Sequence, residues 1–162
     1  YRYDMQVELN TIKEKIAEIL KKHGVLVGYL FGSAARGTMG PHSDIDVAVL
    51  FDEKKIPREK QFDEKLALSS EIARAFDIKD ADVINLNEQT SPVIRYEAVV
   101  EGYPILVEDI EAKTHLARTV LREYEDTRYL RETAYRILRE QAKSGVFGRA
   151  PVNLRKNHVP AQ

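Results

Sequence analysis

Cysteine is absent from the 162-residue chain, and so is tryptophan. Without a thiol there is no disulfide scaffold, cysteine nucleophile, zinc finger or iron–sulfur site. No apolar run approaches the ~18 residues that a bilayer-spanning helix needs, and no signal-peptide pattern opens the chain. A soluble, cytoplasmic protein is therefore expected. Internal repeats, low-complexity blocks and Gly/Ser-rich linkers are missing too. What is there is 43% hydrophobic and 31% charged, enough apolar material for a sizeable core and one compact domain.

The formal net charge of −1 hides an asymmetry. Residues 1–110 carry 14 Lys and Arg against 20 Asp and Glu, a net of −6. Residues 111–162 carry 11 against 6, a net of +5. An acidic body with a basic C-terminal segment suits an acidic partner, but interleaved acids make an Arg-studded solvated helix the simpler reading.

Met5, Leu9, Ile12, Ile16, Ile19 and Leu20 recur at three- and four-residue spacing and predict an amphipathic first helix. Lys21, Lys22 and His23 suit its negative end, and Gly24 suits a left-handed cap. The β-forming run 25–31 predicts a buried strand, and residues 44–51 predict a second one with two carboxylates at its start. Pro57 fits the first turn of a helix whose inner side is expected to carry Phe62, Leu66, Ile72, Ala73 and Phe76.

Residues 82–86 predict a third strand. Ser91-Pro92 opens a helix that should stop at Gly102. Residues 103–107 predict an edge strand whose ladder Pro104 limits. From Ile110 to about Gln141, Leu116, Val120, Tyr124, Leu130, Ala134, Ile137 and Leu138 mark one long helix or two. The tail from Ser144 holds Gly145, Gly148, Pro151 and Pro160 and should not be helical.

The chemistry concentrates in Gly32-Ser33-Ala34-Ala35-Arg36-Gly37, a turn-rich stretch, and then Ser43-Asp44-Ile45-Asp46. In a strand, residues two apart share a face, so Asp44 and Asp46 converge. Two adjacent carboxylates repel, and a divalent cation removes that cost; oxygen donors with water suit Mg²⁺ or Mn²⁺. Alone, Asp-x-Asp is short and common, and a solvated strand end would explain it. Gly32-Ser33 shifts the balance. Glycine at a strand end lets the backbone approach a ligand, and a helix starting at Ser33 would present free N–H groups to a phosphate. Ser33 also suits a simple helix cap, and the two readings are compatible. Arg36 can neutralise a phosphate oxygen or hold the loop through a carboxylate pair.

Gly32-Ser33 followed by Ser43-Asp44-Ile45-Asp46 resembles the signature of the DNA polymerase β-type nucleotidyltransferase superfamily. The spacing and the intervening Ala35-Arg36-Gly37 resemble its smallest branch, the minimal nucleotidyltransferases of prokaryotes, over residues 5–108. Many of these proteins are antitoxins encoded beside a HEPN-domain RNase toxin. The resemblance implies an α/β nucleotidyltransferase fold, a small mixed sheet flanked by helices; beyond it, the residues themselves predict a C-terminal helical extension (109–143) and an irregular tail (144–162), a candidate partner-binding arm. It implies Mg²⁺, two ions, and ATP as donor. Asp44 and Asp46 would be the catalytic metal ligands, and Gly32, Ser33, Arg36 and Ser43 would hold the nucleotide.

It also implies a third carboxylate on a later strand. Asp82, heading an apolar strand, matches best and would complete the metal site and accept a proton; Asp80 is the alternative. The implied reaction moves AMP to a tyrosine of a cognate HEPN toxin. Two other readings stand beside it: a small-molecule (aminoglycoside-type) nucleotidyltransferase, and an antitoxin that neutralises by contact alone. His23, His42, His115 and His158 are too scattered for zinc. Tyr124, Tyr129 and Tyr135 read as packing, and no nucleic-acid or membrane partner is expected.

Overall fold

The structure is a computed structural model describing residues 2–35 and 44–145, with residues 2–9 and Ala34 described by backbone only. Arg36, Ser43 and the tail beyond Gly145 lie outside the described residues. The chain divides into two units, residues 1–125 and 126–162.

In the first unit the elements run α1 (Arg2–Lys22), β1 (Val25–Phe31), α2 (Gly32–Ala35), β2 (Ile45–Phe51), α3 (Arg58–Phe76) and β3 (Ala81–Asn85). Then come α4 (Pro92–Tyr96), which continues as a π-helical turn over Glu97–Glu101, β4 (Tyr103–Val107) and α5 (Ile110–Asp126). The strands form one sheet in the order β3-β2-β1-β4. β1 pairs antiparallel with both β2 and β4, while β2 and β3 are parallel. The mixed sheet expected from the resemblance is therefore present.

β1 and β2 occupy the centre, which is why both read as nearly unbroken apolar runs. One face packs Ile16, Ile19 and Leu20 of α1 and Leu68 and Ile72 of α3 against Leu30, Val47, Val49 and Val83. The other packs Ala98, Val99, Leu116 and Val120 against Val27, Tyr29, Phe31 and Ala48. Each fully buried Leu or Ile here contributes roughly 2 kcal/mol. A Cβ on Gly28 would stand 2.2 Å from Leu20 Cδ1, so α1 lies tight against β1 only because that side chain is missing.

Two expectations need correcting. Phe62 and Leu66 do not line the inner side of α3; they are 56% and 50% exposed. The buried stripe runs through Gln61, Leu68 and Ile72 instead. A polar residue set the helix phase, because the Gln61 amide donates to the Ile56 carbonyl and accepts from Asn85 Nδ2 (3.1 and 2.9 Å). The second strand begins at Ile45, leaving Asp44 just ahead of it. α5 falls within the first unit, which runs to Glu125.

What ties α5 down is Arg95, 7% exposed. Its guanidinium donates to the Leu86 and Glu88 carbonyls and pairs with Glu123 at 3.0 Å, while Tyr96 stacks on Tyr124 with centroids 4.0 Å apart.

At the end of α1, His23 bridges to α3: Nδ1 lies 2.6 Å from Glu64 Oε1, and Nε2 lies 2.8 Å from Glu71 Oε2. Both contacts are hydrogen bonds only when both ring nitrogens carry protons.

The second unit contains α6 (Arg128–Ser144), closed by Gly145 in the left-handed region at φ 70°. None of its residues is buried. Tyr129 and Tyr135, expected to pack, are 74% and 58% exposed, and Leu130, Ile137 and Leu138 are exposed as well.

Candidate active site

One end of the sheet gathers the residues that the sequence singled out. β1 ends at Phe31, which pairs with Asp46, and Asp46 pairs with Asp82. These three positions form one row across three strands. Asp46 and Asp82 point to the sheet face that carries Phe31, Ala48 and Ile84, because partners in register and residues two apart share a face. Apolar side chains fill that face further along, so the carboxylates mark where the core gives way to water.

Gly32 follows Phe31 at φ +69°, a conformation that side-chain-bearing residues rarely adopt. A Cβ built there would fall 2.0 Å from Asp46 Oδ2. Glycine is needed twice over: for the backbone, and to let the Asp46 carboxylate lie over the turn. Ser33 is the next residue, half-buried in α2, and the helical turn begins at Gly32, one residue earlier than expected.

Asp44 and Asp82 are exposed and Asp46 is half-buried. Asp80 is exposed just ahead of β3, one residue before the Ile45–Ala81 pair that opens the parallel ladder. Of the two candidates for the third carboxylate, Asp82 is thus the one level with Asp46. Arg36 and Ser43 lie outside the described residues.

The donor set consists of carboxylate oxygens alone, which fits a hard divalent cation such as Mg²⁺. As the side chains stand, no three His, Asp or Glu among the described residues are gathered closely enough to hold an ion. Exposure of Asp44 and Asp82 means that turning them toward Asp46 disrupts no packing, and neighbouring strands lie only about 4.8 Å apart.

Sequence reasoning missed one wall of the site. A cleft of about 50 Å³ beside the turn is lined by Phe31, Gly32, Ala35, Glu97, Glu101 and Gly102. A Cβ on Gly102 would meet the Ala98 carbonyl at 2.2 Å and the Leu30 carbonyl at 3.0 Å, so the π-helical turn is pressed onto the end of β1. The only signal was two acids four apart in an apolar helix, too common a pattern to single out. π-helical turns are frequent at functional sites.

A small mixed sheet with a Gly-Ser turn after its first strand and Asp-x-Asp at the head of its second defines the class: the nucleotidyltransferase fold. Residues 14–111 match the family model described as polymerase beta, nucleotidyltransferase, and the chain belongs to that family.

A relative from Methanocaldococcus jannaschii, provisionally named protein adenylyltransferase MJ0435, is 49% identical over 49 residues. Those residues are 30% of this chain and 53% of the relative, so the match spans about half of the relative's length. Among solved structures, a chain of a toxin–antitoxin complex with AMP-PNP superposes with TM-score 0.62 at 25% identity, over 76% of this chain and 94% of that one. A chain of a mutant MntA–HpeT toxin–antitoxin complex gives TM-score 0.57 at 27% identity, over 75% and 92%.

Proposed function

We propose that the protein is a magnesium-dependent adenylyltransferase that moves AMP from ATP to a tyrosine hydroxyl of a HEPN-domain toxin, and so acts as its cytoplasmic antitoxin. The observation that carries this reading is the Asp46 carboxylate lying over the Gly32 turn, in register with Asp82. Family membership supports nucleotidyl transfer. The name of the archaeal relative supports a protein acceptor, and the toxin–antitoxin complexes, one holding an ATP analogue, support both donor and partner.

In this reading Gly32 and Ser33 hold the β- and γ-phosphates, with Arg36 and Ser43 completing the loop. Asp44, Asp46 and Asp82 would hold two magnesium ions, which when bound would offset the triphosphate charge and stabilise the leaving pyrophosphate. The row of carboxylates orients the α-phosphorus toward the open edge of the sheet. Asp82, exposed at the edge strand, accepts the proton of the attacking hydroxyl. AMP on the toxin adds bulk and negative charge where its own chemistry takes place.

Incubating the chain with its toxin, Mg²⁺ and ATP should place AMP on a toxin tyrosine, detected by peptide mass spectrometry. Asp44→Asn with Asp46→Asn should abolish the adduct. Neutralisation that persists in that variant, with complex formation intact, would favour inhibition by contact and overturn the catalytic reading.

A further inference from the structure

Eight tyrosines are present, and their settings differ sharply. Tyr29 is 1% exposed, Tyr96 and Tyr124 stack on each other, and the Tyr103 ring lies under Lys13 Nζ at 4.0 Å. Tyr129 and Tyr135 alone, among the described tyrosines, stand more than half exposed. Both lie on α6, which carries five basic residues (Arg128, Arg131, Arg136, Arg139, Lys143) against two acids (Glu132, Glu140). Tyr129 follows Arg128 directly, and Tyr135 precedes Arg136.

The catalytic end of the sheet has the opposite charge. Asp44, Asp80, Asp82, Glu97 and Glu101 are all exposed there, around the half-buried Asp46. An acceptor tyrosine must reach this end, and a cationic segment around it would be drawn in while an anionic one is repelled. The match to the antitoxin-complex chain uses 76% of this chain to cover 94% of that one, so about a quarter of this chain has no counterpart there.

We propose that the chain is its own second substrate: one copy adenylylates Tyr129 or Tyr135 on α6 of another copy. This rests on the adenylyl-transfer reading above and names an acceptor class for the same site, a tyrosine in a basic helix. The phenolic oxygen attacks the α-phosphorus of ATP. A Tyr–O–P bond forms as the bond from the α-phosphorus to the pyrophosphate oxygen breaks. Pyrophosphate leaves with that electron pair, and the phenolic proton passes to Asp82. The product is a phosphodiester on α6, whose negative charge reduces the helix's cationic excess and weakens its attraction to the catalytic end, which limits the reaction.

The test uses the purified full chain with Mg²⁺ and ATP and no other protein. Peptide mass spectrometry should find AMP on Tyr129 or Tyr135, and Tyr129→Phe with Tyr135→Phe should abolish it while leaving transfer to the toxin intact. Mixing Asp46→Asn copies that keep both tyrosines with active copies lacking them should label the Asp46→Asn copies. Labelling should fall roughly tenfold between about 0.05 and 0.5 M salt.

A toxin that is adenylylated while both α6 tyrosines stay bare would overturn this inference and leave the proposed function standing; so would AMP on Tyr103 instead. Label confined to active wild-type copies, with none on admixed Asp46→Asn copies, would overturn transfer between copies. No pyrophosphate release and no AMP on any protein would overturn the proposed function and this inference together.

Discussion

The two ends of the sheet are built on opposite rules. At the far end the polar groups satisfy one another. Asn85 Nδ2 donates to Gln61 Oε1, and Asn85 Oδ1 accepts from the Asn87 N–H. The Asn87 amide in turn takes the Phe51 N–H (2.8 Å) and donates to the Phe51 carbonyl (3.2 Å). At the Gly32 end, four aspartates crowd two adjacent strands, and three of them are exposed. Paired neutral amides seal a structure; like charges held side by side keep a place for something positive. The far end stabilises the fold, and the near end gathers acids that do not pair with one another, as the proposed function requires.

The sharpest way to break this contrast is to remove one carboxylate from the row. Asp46→Asn keeps the shape and loses the charge. Transfer should fall by roughly 10²–10³ or more, with an unchanged or slightly raised melting temperature, checked by initial rates and calorimetric unfolding. The converse experiment attacks the far end. Asn85→Ala strands the Gln61 carbonyl and the Asn87 N–H, which should cost about 1–3 kcal/mol of stability in denaturant unfolding and leave nucleotide affinity unchanged.

A smaller, pH-dependent effect is expected at the His23 bridge. The hydrogen bond from His23 holds the Glu71 carboxyl below its ordinary value of 4.5, against a smaller opposing effect of desolvation. A carboxylate lowered in this way stabilises the fold above its unfolded pKa, and the contribution is lost as pH falls through the folded value. The melting-temperature difference between wild type and His23→Gln should therefore be larger at pH 6 than at pH 3. The Glu71 side chain is 36% exposed, so solvent screening keeps the change modest.

The smallest effect is expected in mid-sheet. Burial pushes the Tyr29 phenol up to about 12, and its hydroxyl has no hydrogen-bond partner among the described residues. Tyr29→Phe should be neutral or stabilising by less than about 1 kcal/mol in thermal unfolding.

The strands were legible because β1 and β2 are buried on both faces and so read as apolar runs, and because Gly24, Pro57, Pro92 and Gly102 punctuate the helices around them. The candidate site was legible because its acids are two residues apart at the head of one strand, with Asp44 just ahead of it, and follow closely on a strand-ending glycine. Register between strands is a long-range property, and the level pairing of Asp46 with Asp82 could be chosen only through resemblance. Phase in α3 was misread because Gln61, a polar residue, is buried through its bond to Asn85. Arg95 was missed for the same reason: a buried guanidinium depends on carbonyls that only the folded chain brings to it. In α6 periodicity was clear, but amphipathicity shows which face can be covered and not whether it is.

Calorimetric titration of the chain with ATP, in the presence and absence of Mg²⁺, probes the carboxylate row most directly. Wild type should bind ATP tightly only when Mg²⁺ is present, and Asp46→Asn should lose that magnesium dependence together with most of the affinity. Equal affinity in wild type and Asp46→Asn, with or without the ion, would contradict the assignment of this end of the sheet as a metal–nucleotide site.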